Sequence, residues 1–209
     1  AGNIILASGW SGVVIQNGIG NKIEGNYIGT NGAGINWGNA FYGVVVEFTE
    51  GNTGGDNIIN YNEIAYNGYH NDLDNGESGV YINRSDGNMI SRNSIHDNDG
   101  PGISLVNDGN NSMAAPVIMS ASCKGTISGS AQADSWVQIF SDNDNEGKLW
   151  EGTTQADSSG NWSWSGNVRG PNITATARDD TTLDTSAFSS VFSVGKCQVD
   201  LYLPLIIKD

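Results

Sequence analysis

Basic residues are scarce. Nine Lys and Arg stand against 23 Asp and Glu, a formal net charge of −14 over 209 residues. Such a chain has no basic face to offer, which excludes nucleic acid and an anionic membrane surface as partners. Proline is sparse at 4, and there are only 2 cysteines and 2 histidines. No apolar run approaches the length of a membrane span, so membrane insertion is excluded as well. Neither end has the pattern of a signal peptide, so a targeting segment is expected to have been removed already. The GxSxG, P-loop, HExxH and CxxC patterns are all missing, and with them the strongest sequence pointers to several enzyme classes. What the chain does have is Gly (29) and Asn (26, of which 21 precede residue 112). These punctuate every short window while helix formers are few, which rules out a helical bundle.

Residues 1–111 repeat. The phrase N-x-I-x-x-N-x-I occurs at Asn21/Ile23/Asn26/Ile28, Asn57/Ile59/Asn62/Ile64 and Asn88/Ile90/Asn93/Ile95, and its second half opens the chain at Asn3/Ile5. A second phrase, Gly followed by three mostly aliphatic residues, begins at Gly12, Gly43, Gly79 and Gly102. An uninterrupted unit is 23 residues long, a period that signals a solenoid of short strands. After each Gly the first and third residues are aliphatic (Val13/Ile15, Val44/Val46, Val80/Ile82, Ile103/Leu105), while the middle column (Val14, Val45, Tyr81, Ser104) tolerates polarity and is expected to face out. The paired Ile residues of the first phrase are five apart, so a bend must lie between them. Asn26, Asn62 and Asn93 occupy it, and Asn tolerates the left-handed backbone such a bend needs. Stacked coils would align these residues as a ladder of amides, each bonding the next.

The phrases "GNKIEGNYIGTNG", "DNIINYNEIAYNG" and "GNMISRNSIHDNDGPGISL" resemble the right-handed parallel β-helix proteins of bacterial surfaces, with NosD-like and pectate-lyase-like relatives. The resemblance covers about half the chain and implies a fold more than an activity, because that fold hosts lyases, hydrolases, adhesins and inert stalks.

The repeat ends after Gly109, and residues 112–116 read as a linker. Residues 117–198 then carry short strands split by turn signals ("SWVQIFSD", "KLWEGTTQ", "GNWSWSG", "NITATARDD"), the pattern of an antiparallel sandwich. The stretch resembles a bacterial Ig-like module, which in such families follows a β-helix as spacer or cap. Residues 199–209, "VDLYLPLIIKD" from Val199, form an apolar strand broken by Pro204, which permits only an edge or strand-end role. They resemble a terminal motif of exported Chloroflexota-type proteins. Cys123 and Cys197 flank the second module and are expected to be bonded. The bridge would close a loop of about 75 residues, worth roughly 4 kcal/mol in the chain-entropy account. Paired cysteines in an acidic, Lys-poor chain favour an extracellular or cell-surface location.

Two coils carry extra residues at one corner, 29–42 and 65–78, which stacking would make neighbours. They offer Trp37, Tyr42, Tyr69, His70, Asp72, Asp74 and Glu77, with His96, Asp97 and Asp99 on the next coil. Aromatic platforms beside carboxylates suit sugar rings, which have apolar faces and hydroxyl rims. Paired carboxylates at a suitable separation also suit glycoside hydrolysis. Packing of the loops by their aromatics, with solvated acids, explains the same composition. A lyase base is not evident among Lys22, Arg84 and Arg92, so the resemblance to lyases transfers no catalytic residue. His70 and His96 lack the third ligand and spacing of a zinc site. Asp142, Asp144 and Glu146 imitate the first half of a calcium loop, but Thr153 stands where its closing Glu belongs. A polar hairpin tip is the other reading. No cofactor is required, and calcium is the candidate.

The expected architecture is therefore all-β: a right-handed parallel β-helix of about four coils (1–111), then an Ig-like β-sandwich. The expected function is a non-catalytic exported structural or adhesive module. It would self-associate head-to-tail into filaments through an open first coil and the apolar residues Leu201, Tyr202, Leu203, Leu205, Ile206 and Ile207. Two alternatives stand beside it: a polysaccharide lyase or glycoside hydrolase fragment, and a polysaccharide-binding module using the insertion corner.

Overall fold

A computed structural model describes residues 2–49, 54–69, 77–122 and 124–195. The repeat region folds into three parallel sheets. The first contains β1 (Ile4–Ile5), β4 (Tyr27–Ile28), β7 (Glu63–Ala65) and β10 (Ser94–His96), in that order. The second runs β2 (Val13–Gln16), β5 (Val44–Glu47), β8 (Val80–Asn83) and β11 (Ile103–Val106). The third runs β3 (Lys22–Glu24), β6 (Ile58–Asn60) and β9 (Met89–Ser91). Consecutive strands of the chain thus belong to different sheets, and each sheet collects one strand per coil. This stacking of parallel sheets fits a β-helix.

The register reproduces the sequence columns. Ile5, Ile28, Ile64 and Ile95 stack, as do Ile23, Ile59 and Ile90, and Val13, Val44, Val80 and Ile103. These columns point inward and form one core in which Ile28, Val44, Val46, Ile59, Ile64, Val80 and Ile82 are fully buried. Each fully buried Val or Ile contributes about 1.5–3 kcal/mol relative to exposure. The middle column is less uniform than its sequence suggests: Val14 is exposed, but Val45 is buried between its neighbours Val14 and Tyr81 on the adjoining strands.

The bend of the first phrase is one residue earlier than expected. The left-handed positions are Gly25, Tyr61 and Arg92. Asn26, Asn62 and Asn93 come just after and are buried. Turning the chain at the preceding residue frees each Asn to point inward, where its amide is needed.

From Val117 the chain switches to antiparallel pairing. One sheet holds β12 (Val117–Ser120), β13 (Lys124–Ser130) and β16 (Asn161–Asn167). The other holds β15 (Leu149–Gln155), β14 (Trp136–Asp142), β17 (Asn172–Arg178) and β18 (Phe192–Ser193). The four segments expected as strands are β14, β15, β16 and β17. The two sheets share a core of Ile127, Val137, Ile139, Trp162, Ile173 and Ala175. Cys123, Cys197 and the apolar stretch 199–209, on which the expected disulfide and terminal strand fall, lie outside the described residues.

Candidate functional site

Inward-pointing asparagines build three ladders along the stack. In the first, the Nδ2 groups of Asn3, Asn26 and Asn62 each donate to the Oδ1 of the next rung, ending on Asn93, at 2.9–3.0 Å. In the second, Asn21, Asn57 and Asn88 donate in turn, ending on Asn110, at 2.8–3.0 Å. The third lies at the insertion corner. Ser8 N donates to Asn39 Oδ1, then Asn39 Nδ2 to Asn67 and Asn67 Nδ2 to Asn98. Each rung's Oδ1 also accepts a backbone N–H of the neighbouring coil in most cases, so buried backbone donors at the corners are satisfied by the same residues.

A stack of parallel coils must end somewhere, and its last coil would leave backbone and ladder groups unpaired. The antiparallel module supplies the missing partners. Asn98 N donates to Glu146 Oε2 and Asn98 Nδ2 to Glu146 Oε1, both at 3.0 Å. Asn110 Nδ2 donates to Thr185 O at 2.9 Å and Arg92 N to Gln138 Oε1 at 2.9 Å. Ile90 N donates to Thr185 Oγ1, and Gly87 N to Asp184 Oδ1. Ile95 and Gly147 exchange both backbone hydrogen bonds. Phe188 closes the apolar part, packing against the stack's core. A Cβ on Gly102 or on Gly147 would come within 2.7 Å of its ring, so two glycines make room for it. Arg92 reaches across as well, its guanidinium lying over the rings of Tyr61 and Trp150.

Glu146 is the most perturbed of these groups. It is 2% exposed. Burial, with the nearby Asp144 and Asp142 carboxylates, pushes its carboxyl up to about 8 against the two bonds from Asn98. The calcium reading of this hairpin is not supported by its geometry. Asp142 accepts from the N–H groups of Asn143 and Lys148, Asp144 accepts from Glu146 N, and Glu146 turns to Asn98. Among the described residues no group of three or more His, Cys, Asp or Glu side chains is placed to hold a metal ion.

The insertion corner is the second feature. The loops between the first and second sheets lie side by side, as stacking requires: Ala7 N donates to Trp37 O, Gly68 N to Asn39 O, and Asp99 N to Asn67 O. They enclose two adjoining lobes of about 490 and 480 Å3 that share Asn36 and Tyr69. Leu6, Ala7 and Trp37 line the first; Tyr66, Asp97 and Asp99 line the second. Trp37 and Tyr69 are 59% and 52% exposed. Behind the second lobe, His96 is buried. Its Nδ1 lies 2.7 Å from Asp97 Oδ2 and its Nε2 lies 3.6 Å from Glu63 Oε1, with Lys148 Nζ 3.6 Å from Asp97. Burial raises the Asp97 carboxyl, but His96 and Lys148 outweigh it and hold the group below its ordinary value.

The expected sugar-site residues separate. Trp37 and Tyr69 line the groove. Tyr42 stacks on Tyr81 at 4.4 Å between ring centroids, and burial and the Glu77 carboxylate raise its hydroxyl well above the usual tyrosine value. Glu77 is itself buried. Both therefore belong to the packing under the loops. His70, Asp72 and Asp74 lie outside the described residues. The third ladder and the capping role of Glu146, Thr185 and Asp184 had no place in the sequence reading. A signal for the ladder exists: Ser8, Asn39 and Asn98 each precede their Gly12, Gly43 or Gly102 by four residues. The insertion before Asn39 and the one after Asn67 hide it by breaking the spacing from opposite sides.

No family model and no curated protein matches the chain.

Proposed function

We propose that the chain is a non-catalytic structural module of an exported, cell-surface protein: a right-handed β-helix closed at one end by an Ig-like sandwich. The observation that carries this reading is the pairing of Asn98 with Glu146. The most perturbed carboxyl of the described residues, in a hairpin with a metal-loop pattern, is buried as the last rung of a ladder. Thr185, Asp184 and Gln138 of the same module serve the same end of the stack. The polar side chains of this junction are thus engaged in terminating a scaffold. A covered end also removes the pairing template that an open β edge presents. The test is a screen of pectin, alginate, glucan and xylan for new reducing ends or unsaturated products. Reproducible turnover that is lost on changing Asp97 or Asp99 to Ala would overturn the reading. The exported location is tested by intact mass before and after reduction, which should report Cys123 and Cys197 as bonded.

A further inference from the structure

We infer that the insertion-corner groove binds an uncharged linear polysaccharide, with Trp37 and Tyr69 as stacking platforms and Asn36, Asp97 and Asp99 as the hydrogen-bonding rim. This adds a ligand to the structural role and does not depend on it.

The shape comes first. The two lobes share Asn36 and Tyr69, so they form one continuous groove. It runs from Ala7 on the first coil, past Trp37 and Tyr69 on the next two, to Asp97 and Asp99 on the fourth. Coils stack about 4.8 Å apart, so three steps span roughly 14 Å along the axis. A groove of that length, open along its course, fits several units of a linear chain rather than one small molecule.

The lining supplies both surfaces a pyranose needs. Two large aromatic side chains stand more than half exposed within it, although burying them elsewhere would be favourable. Their backbones are held. Trp37 N donates to Gly29 O and Trp37 O accepts from Ala7 N. Gly38 packs so closely on the Tyr66 carbonyl that a Cβ there would lie 1.6 Å from its oxygen. Gly68, next to Tyr69, is tied to Asn39, itself a rung of the third ladder. The platforms are therefore presented in place and little ordering is required on binding.

Charge selects the class of polymer. Among the described residues lining the groove none is Lys or Arg, and its polar end carries Asp97 and Asp99. Lys148 lies 3.6 Å from Asp97 and is not among the residues lining the groove. In a chain of net charge −14, uronate-rich or sulfated polymers meet like charge, whereas the hydroxyls of a neutral polymer can donate to the carboxylates.

Affinity electrophoresis of the full chain through gels holding soluble xylan, mixed-linkage glucan, galactomannan, pectin or alginate tests this. Retardation is expected with at least one neutral polymer and not with pectin or alginate. Trp37→Ala and Tyr69→Ala should each weaken it about tenfold, in line with loss of one stacking platform. Trp10→Ala, which removes an exposed tryptophan outside the groove lining, should leave it unchanged. Thermal unfolding of each variant shows whether the fold is kept. Either groove variant suffices if the other fails to fold. No retardation by any neutral polymer, preference for the acidic polymers, or equal retardation in a folded groove variant overturns the inference. None of these outcomes bears on turnover, so failure here is distinct from failure of the structural reading.

Discussion

Glu146 stands to Asn98 as Asn98 stands to Asn67. Asn67 N and Nδ2 both donate to Asn98 Oδ1, at 3.1 and 2.9 Å, and Asn98 N and Nδ2 donate to the two oxygens of Glu146 at 3.0 Å. The two oxygens of one carboxyl group accept from both donors of Asn98 at once, so Glu146 ends a ladder whose every rung donates forward. The cost is a buried acid.

That cost fixes the sign of a pH effect. The Glu146 carboxyl is raised to about 8 in the folded chain against 4.5 ordinarily, so the folded state holds its proton after the unfolded state has lost it. Its contribution is fully present below about 4.5 and is lost as pH rises through about 8. Glu146→Gln removes this titration. The unfolding free energy of the variant relative to the parent, read from urea unfolding, should therefore climb between pH 5 and pH 8, by on the order of a few kcal/mol at most. A pH-independent difference would show that Glu146 does not titrate there.

Asn62→Ala tests the ladders themselves. Asn62 accepts from Asn26 N and Nδ2 and donates to Asn93 Oδ1, Ile23 O and Asn60 O, all in the buried stack. Removing it strands several groups at once, with an expected loss of about 3 kcal/mol or more in urea unfolding. Asn145→Ala, at an exposed position, should stay within about 0.5 kcal/mol of the parent.

Phe188 joins the two halves, packing on the stack's core and edge-on to Phe140 at 5.4 Å between ring centroids. Phe188→Ala is expected to cost about 3 kcal/mol. It should also split one cooperative transition into two, because the apolar contact between stack and cap is lost while each keeps its own core. Calorimetry that still shows a single transition would mean that the polar contacts alone couple the halves.

N-x-S/T sequons begin at Asn83, Asn110, Asn161 and Asn172, and they are not equivalent. Asn110 is fully buried and donates to Asn88 O and Thr185 O, whereas Asn161 is exposed. Expression in a glycosylating host should modify Asn161 and leave Asn110 bare, as peptide mass mapping would report. Occupancy at Asn110 would mean that modification precedes closure of the stack by its cap.

The sequence by itself determined what each coil repeats. The Ile and Val columns and the Asn26/Asn62/Asn93 ladder are legible because every coil sees the same environment above and below, so the same residue recurs at the same place. The left-handed residue at the bend was misplaced by one, since Gly25, Tyr61 and Arg92 share no side-chain type that marks them. The third ladder escaped because insertions on either side of its rungs alter the spacing. Tertiary structure alone decided how the stack ends and which residues of the insertion corner line its groove. Glu146 meets Asn98 across 48 residues and Asp184 meets Gly87 across 97, each contact occurring once. A partner used once leaves no period in the chain. Only desolvation at the junction tells Glu146, a buried rung, from an acid on a hairpin tip, and only the packing of the loops separates Trp37 and Tyr69, which line the groove, from Tyr42 and Glu77, which lie beneath it.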